Sequence, residues 1–118
     1  MQPKEKFEYW KSHAERDFEL VKELAKEYAE NVRRVLPVDK VVLYGSYVNG
    51  AATPLSDVDI CFFFNEWGEK PRSEIIYELL GLCGRYKGAY FEPTAFPVSE
   101  IERGNPFVKE ILATGIEL

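Results

Sequence analysis

Two acids spaced by one residue, Asp57 and Asp59, and the Gly45-Ser46 pair upstream are the residues of this chain that could do chemistry together. Val58 to Phe64 reads as a strand, and residues two apart at a strand point to one side. Two carboxylates held side by side repel each other unless a cation sits between them. Mg²⁺ suits such a seat, because it takes one or two carboxylates and completes its shell with water or substrate phosphates. Gly45 lets the backbone approach a bulky anion. Ser46 would open a helical turn, offering a hydroxyl and N–H groups that have no partner within the turn, and such a helix start holds phosphates. A phosphate seat beside a metal seat implies a nucleotide or another polyphosphate. Each piece alone is ordinary, an Asp-x-Asp at strand ends and a Gly-Ser in turns. Their conjunction, with ten residues between Ser46 and Asp57, is not explained that way.

The elements that position these residues follow from hydrophobic spacing. From Lys4 to Leu36 there is no Gly or Pro, and Phe7, Trp10, Ala14, Phe18, Val21, Leu24, Ala25, Tyr28, Val32 and Val35 recur at steps of three and four. That is the period of a long amphipathic helix, which Pro37 stops at Leu36. Such a helix would be about 45 Å long, against a diameter of roughly 27 Å for a domain of this size. Either it breaks or its first turns project. The stripe Phe7, Trp10, Ala14 and Phe18 then meets a partner, pairs with a second copy, or folds back onto the core.

Lys40–Tyr44 is a short apolar strand, Ser46 to about Ala52 a helical turn, and Val58–Phe64 a strand apolar enough to be central. Asn65–Gly68 is a loop, and Ser73 to about Tyr86 a helix with Ser73 as N-cap. Ala89–Phe96 contains Pro93 and reads as an edge strand. Ser99–Glu102 and Pro106–Ala113 are short closing helices, with Pro106 suiting a first turn and Gly115 a helix end. The order gives an α/β (α+β) fold, a small mixed β-sheet of three to four strands flanked by helices. It forms one domain over residues 1–118, with 1–36 the long helix and 38–118 the core.

Composition narrows the class. The 118 residues are 46% hydrophobic and 14% aromatic, enough to fold as one soluble domain. No apolar run approaches the ~18 residues of a membrane span, and no apolar stretch follows the N-terminal Met-Gln-Pro-Lys-Glu-Lys. A cytoplasmic location is the expectation. Cys61 and Cys83 are too few for a disulfide framework and read as buried free thiols. The net charge of −5 disfavours direct nucleic-acid binding. Residues 1–36 hold eight basic and eight acidic residues, whereas the remainder holds seven and twelve. That acidic part is either solvated surface or, in part, a cation seat. His13, the single histidine, reads as a surface residue. No Ser-His-Asp or Cys-His arrangement and no Walker-type loop is present.

The run Gly45-Ser46, ten residues, Asp57-Val58-Asp59 resembles the signature of the nucleotidyltransferase superfamily that includes DNA polymerase β. The short chain looks like the minimal nucleotidyltransferase (MNT) branch. The resemblance spans Val38 to the C-terminus. It includes the lead-in Pro54-Leu55-Ser56-Asp57 and the closing stretch Asn105 to Ile116, where a last helix runs into Gly and an apolar end. It implies the polymerase β-like fold and transfer of a nucleoside monophosphate from an NTP, ATP by resemblance, to a hydroxyl, with loss of pyrophosphate. Two Mg²⁺ ions, with Mn²⁺ as an alternative, would be held by Asp57 and Asp59. Gly45 and Ser46 would grip the terminal phosphates. The family places a third carboxylate on a later strand. Glu92 is the only acid on Ala89–Phe96, so the resemblance gives it that role, holding the second metal or accepting the proton. Relatives more often have Asp there, and here Pro93 follows. Many relatives also carry Arg where this chain has Tyr47-Val48-Asn49. The missing cation would come from Arg85, Lys87, Lys70 or Arg72.

MNT proteins are often paired with a HEPN-domain ribonuclease toxin, act as its antitoxin and transfer AMP onto it. The resemblance thus implies a HEPN-type partner, with a tyrosine or other hydroxyl as acceptor. The first helix offers a docking stripe, equally fitted to homodimerisation. Two other readings stay open: a transferase for a small molecule or RNA end, and a non-catalytic module that neutralises a partner by contact.

Overall fold

The computed structural model describes residues 3–52, 56–84 and 90–118, with side chains from residue 18 onward. Helix α1 (Pro3–Arg33) is one unbroken helix of 31 residues, as its spacing predicts, and ends three residues before Leu36. The chain leaves it through turns in which the amides of Val35 and Leu36 both donate to Val32 O. Of the predicted stripe, Phe18 packs against the core, while the side chains of Phe7, Trp10, Ala14 and His13 lie outside the described residues. No described helix is long and apolar enough to cross a membrane.

After α1 come β1 (Val38–Tyr44), α2 (Ser46–Asn49), β2 (Val58–Phe64), α3 (Arg72–Leu82), β3 (Phe91–Pro97), α4 (Ser99–Arg103), α5 (Pro106–Thr114) and β4 (Ile116–Glu117). The sheet is mixed, in the order β3-β2-β1-β4. β1 runs antiparallel to both β2 and β4, and β2 runs parallel to β3. Four strands form, the last of them the two-residue β4 that hydrophobic spacing does not announce.

Alternation along the strands divides the core in two. Val41, Leu43, Val58, Ile60, Phe62, Phe64 and Ala95 face α1 and α3, meeting Val21, Ala25, Tyr28, Ala29, Val32, Ile75 and Leu79. Val42, Cys61, Phe63 and Phe96 face the other way, against Val108 and Ile111 of α5. Central β2 is therefore apolar on both faces. Burial of a side chain such as Phe62 contributes about 1.5–3 kcal/mol. Tyr28, fully buried, donates its hydroxyl to Leu79 O and so ties α1 to α3. Its ring meets Phe62 and Phe91 edge-on, each at 5.2 Å.

Three local readings need correction. Ser73 is not the N-cap of α3: Pro71 holds that position without a side-chain cap, and the helix begins at Arg72. It ends at Leu82, before Tyr86, which lies outside the described residues. Cys61 is buried, but Cys83, just past the end of α3, is only half-buried. The reading of Pro106 holds: it opens α5 behind Asn105, whose side chain accepts from the amides of Phe107 and Val108.

β3 is an edge strand, as Pro93 predicts. Val58 N donates to Tyr90 O and Val98 N donates to Phe64 O. By alternation, Tyr90, Glu92, Thr94 and Phe96 turn their peptide groups toward β2. Pro93 and Pro97 turn theirs outward, where a missing N–H costs no ladder bond. Arg72 Nε occupies the outward carbonyl of Ala95 at 3.0 Å. Two prolines and an arginine thus blunt this edge against strand addition.

Candidate functional site

The sheet register builds the site. Tyr44 on β1 stands opposite Asp59 on β2, and Asp59 stands opposite Glu92 on β3. The three form one row across the sheet on the α5 face. Asp59 is half-buried, and Glu92 lies within hydrogen-bonding reach of it. Asp57 precedes β2 by one residue and is exposed, yet its charge acts on Asp59. Burial first, then Glu92 and Asp57, hold the Asp59 carboxyl above the usual Asp value. Beside it, burial also raises the Tyr44 hydroxyl, with Asp59 the next cause.

Gly45 directly follows Tyr44 and caps α2 at φ 83°. A Cβ there would overlap the Oδ2 of Asp59. Glycine is therefore required twice, for a left-handed backbone angle and for the approach to the carboxylate. Gly45 O accepts from the amides of Val48 and Asn49. Ser46 is the first residue of α2, placed at the acidic row by that contact. The structure thus brings Asp57, Asp59, Glu92 and Gly45 together, with Ser46 adjoining.

Two hollows flank the row. One, of about 240 Å³, lies over Gly45, Val48 and Asn49 and against α5. The other, of about 460 Å³, is lined by Asp59, Glu92, Pro93, Thr94, Arg72, Ile76, Leu80 and Phe91. Tyr44 and Phe107 line both, and their rings meet edge-on at 6.0 Å. They form the ridge between the hollows. Neither residue is marked by sequence pattern: Tyr44 reads as the end of a buried strand and Phe107 only as part of a short closing helix, where it is 47% exposed.

Of the two candidate cations among the described residues, Arg72 and Lys70, Arg72 is the one in this site. Its Nη2 donates to Thr94 Oγ1, its Nε to Ala95 O, and its guanidinium lies 4.3 Å from the centre of the Phe96 ring. Lys70 pairs instead with Glu78, in a groove beside Trp67. Arg85 and Lys87 lie outside the described residues, as do Pro54 and Leu55 of the lead-in.

The donor set fits a hard divalent cation. Asp59 gathers carboxylate charge from two sides, and none of the ion pairs among the described residues involves Asp57, Asp59 or Glu92. No group of three or more His, Cys, Asp or Glu forms a ready-made cage among the described residues. Mg²⁺ takes few protein ligands and is completed by substrate phosphates.

A four-stranded mixed sheet with a Gly-Ser turn against an acidic row defines the nucleotidyltransferase class of fold. The sequence profile of the nucleotidyltransferase domain family matches residues 21–114, and the chain belongs to that family. Nucleotidyl transfer from an NTP is the chemistry of the family. The fold is similar to that of a crystal structure from Sulfolobus solfataricus described as a candidate nucleotidyltransferase. The two share 21% identity at a TM-score of 0.65, over 88% of this chain and 84% of the other. No curated protein matches the chain.

Proposed function

We propose that this protein is a metal-dependent nucleotidyltransferase that moves AMP from ATP onto a hydroxyl of a partner protein. The observation that carries the reading is the contact of Gly45 with Asp59, which joins the Gly-Ser turn to a carboxylate row ending in Glu92. Asp57 and Asp59 would hold the metal, with Glu92 as the third oxygen ligand. A bound pair of Mg²⁺ ions would neutralise phosphate charge and lower the pKa of the attacking hydroxyl. Gly45 and Ser46 orient the terminal phosphates through backbone amides and the Ser46 hydroxyl. The acceptor oxygen bonds to the α-phosphorus, and the bond from that phosphorus to its bridging oxygen breaks. Pyrophosphate leaves with the electron pair, and the hydroxyl proton passes to Glu92. Positioning supplies most of the acceleration in such a step.

The base, and a HEPN-type toxin as the partner that this protein would neutralise as its antitoxin, rest on the resemblance to MNT proteins. The competing reading is a module that acts by contact alone. It is favoured by Pro93 directly after Glu92 and by Tyr47-Val48-Asn49 where many relatives carry Arg.

The deciding experiment is transfer of label from α-³²P-ATP with Mg²⁺ into macromolecules of the native host lysate. The proposal expects a labelled band that survives nuclease, yields to protease and vanishes with Asp59→Asn. No Asp59-dependent label, with any NTP or with Mn²⁺, would leave the contact-only module or a transferase for a small-molecule acceptor.

A further inference from the structure

Helix α1 is longer than the sheet it packs on. Its 31 residues form one unbroken helix, about 46 Å long. β1 has seven residues and spans about 23 Å. The molecule measures 54 × 30 × 20 Å, so α1 overhangs the sheet. An unbroken helix does not fold its first half back onto the core, and the overhang therefore projects.

Contacts at the other end of α1 fix the direction of the overhang. Arg33 donates to Leu118 O, and Leu118 N donates to Val41 O on β1. Tyr28, less than two turns earlier, already meets Phe91, the first residue of β3. Phe91 stands opposite Val58, the first residue of β2. Followed toward its N-terminus, α1 thus runs out past the end of the sheet that carries Gly45, Asp59 and Glu92.

The sequence of the overhang is patterned for a copy of itself. By the 3.6-residue period, positions Phe7, Trp10 and Ala14 fall on the face that continues through Phe18, Val21 and Ala25 into the core. Lys4, Glu8, Lys11 and Glu15 fall along one border of that face, and Lys6 and Asp17 along the other. An antiparallel pair centred on Trp10 sets position 7 against position 14, a large residue against a small one. Across such a pair Lys4 lies level with Glu15, Lys11 with Glu8 and Lys6 with Asp17, each to within a turn. Every border lysine then has an acid opposite. A parallel pair in register would set Lys6 beside Lys11 instead. Phe7 and Trp10 of two copies give four aromatic side chains of about 150–250 Å² each. With the stems of the border lysines, that approaches the low end of specific interfaces, roughly 1,200 Å² in total. A lone helix of this length is marginal in water, and pairing stabilises it.

We propose that residues 3–17 of two copies of this chain pair antiparallel about Trp10, giving a two-fold dimer that dissociates at about micromolar concentration. Each helix leaves its body beyond the carboxylate row. The two rows therefore face one another, with about 20 Å of paired helix between the bodies. This arrangement holds whether or not the chain transfers nucleotides.

The test reads oligomeric state and register on the full chain. Sedimentation velocity from ~1 to ~200 µM should show monomer giving way to dimer, and Trp10→Glu should stay monomeric over that range. In a Cys83→Ser background, which leaves only the buried Cys61, Trp10→Cys should form a disulfide with itself on mild oxidation. Phe7→Cys should not, but should link to Ala14→Cys when the two are mixed. The fourfold exchange Lys4→Glu, Glu8→Lys, Lys11→Glu and Glu15→Lys keeps the pairs within each helix and between like copies. Against wild type it opposes like charges. Mixed with ¹⁵N-labelled wild type and read by native mass spectrometry, it should give fewer mixed than like dimers, where indifference gives as many of each. If Trp10→Glu fails to fold, the cysteine and charge variants still decide. Self-linking of Phe7→Cys, or as many mixed as like dimers, would overturn the antiparallel pairing. A dimer that survives Trp10→Glu would place the interface elsewhere. A chain that is monomeric at every concentration would overturn the dimer and leave the projecting helix to a different protein.

Discussion

Gly45 and Asp59 touch across the β1–β2 pair, so that a Cβ on the glycine would overlap the carboxylate oxygen. Gly45→Ala thus carries two penalties, the φ of 83° and the displaced Asp59. Asp59 can swing aside, so the stability loss should stay near about 1–3 kcal/mol. Activity should fall much further, because the carboxylate leaves its place. Denaturant melts and initial rates on the same sample check the split. Equal loss of both would make the contact merely structural.

Asp59 also sets how stability depends on pH. Its folded-state pKa is raised above the usual 3.8 by burial, Glu92 and Asp57. The folded state therefore binds this proton more strongly than the unfolded chain. The stability it contributes is complete below the unfolded value and is lost as pH rises through the folded one. At neutral pH without metal, the ionised carboxylate is a burden. Asp59→Asn should then melt at the wild-type temperature or higher in EDTA at pH 7, with wild type gaining on it as pH falls toward 4. Thermal melts at the two pH values decide. A collapse of the variant would mean that the acid holds the fold together.

The spacing of residues 38–118 made the core legible. β2 came out at its predicted bounds because Val58 to Phe64 is apolar on both faces, and edge strand β3 because Pro93 admits no central place. Caps and ends were less legible. Ser73 looks like an N-cap, but the Pro71 carbonyl already accepts from the amides of Glu74 and Ile75, so the helix begins at Arg72. Of the site, the Gly-Ser turn and the acids announce themselves by type and spacing. Arg72 stands out from Lys70 only because the fold carries it over the β3 edge. Tyr44 and Phe107 carry no signal of type or spacing, because a ridge between two hollows is a product of tertiary packing alone.

Gly115 illustrates the same limit. It reads as a helix end chosen for backbone freedom, yet its φ is an ordinary −82°. What excludes a side chain is space, since a Cβ would meet Val42 and lie 2.6 Å from Ile111 O and 2.9 Å from Leu43 O. Gly115→Ala should force α5 and β4 away from β1 and cost about 1–3 kcal/mol. Urea melts check this. A neutral substitution would show that β4 is not held by this contact.

The two thiols should separate cleanly. Cys61 is fully buried under α5, and burial pushes its thiol up to about 12. Cys83 is half-buried at the end of α3 and also raised, by the same cause. Titration with a thiol-reactive disulfide should modify Cys83 in the native protein, and Cys61 only on unfolding. Fast native reaction of both would contradict the packing of α5 on β2.

In the proposed chemistry Asp59 holds a metal against a nucleotide. The most direct measurement is an electron paramagnetic resonance titration of Mn²⁺ into wild type, Asp59→Asn and Glu92→Gln, with α,β-methylene-ATP present. Nucleotide-dependent binding is expected in wild type, weakened in Glu92→Gln and abolished in Asp59→Asn. Binding that survives in Asp59→Asn, or none in wild type, would contradict that chemistry.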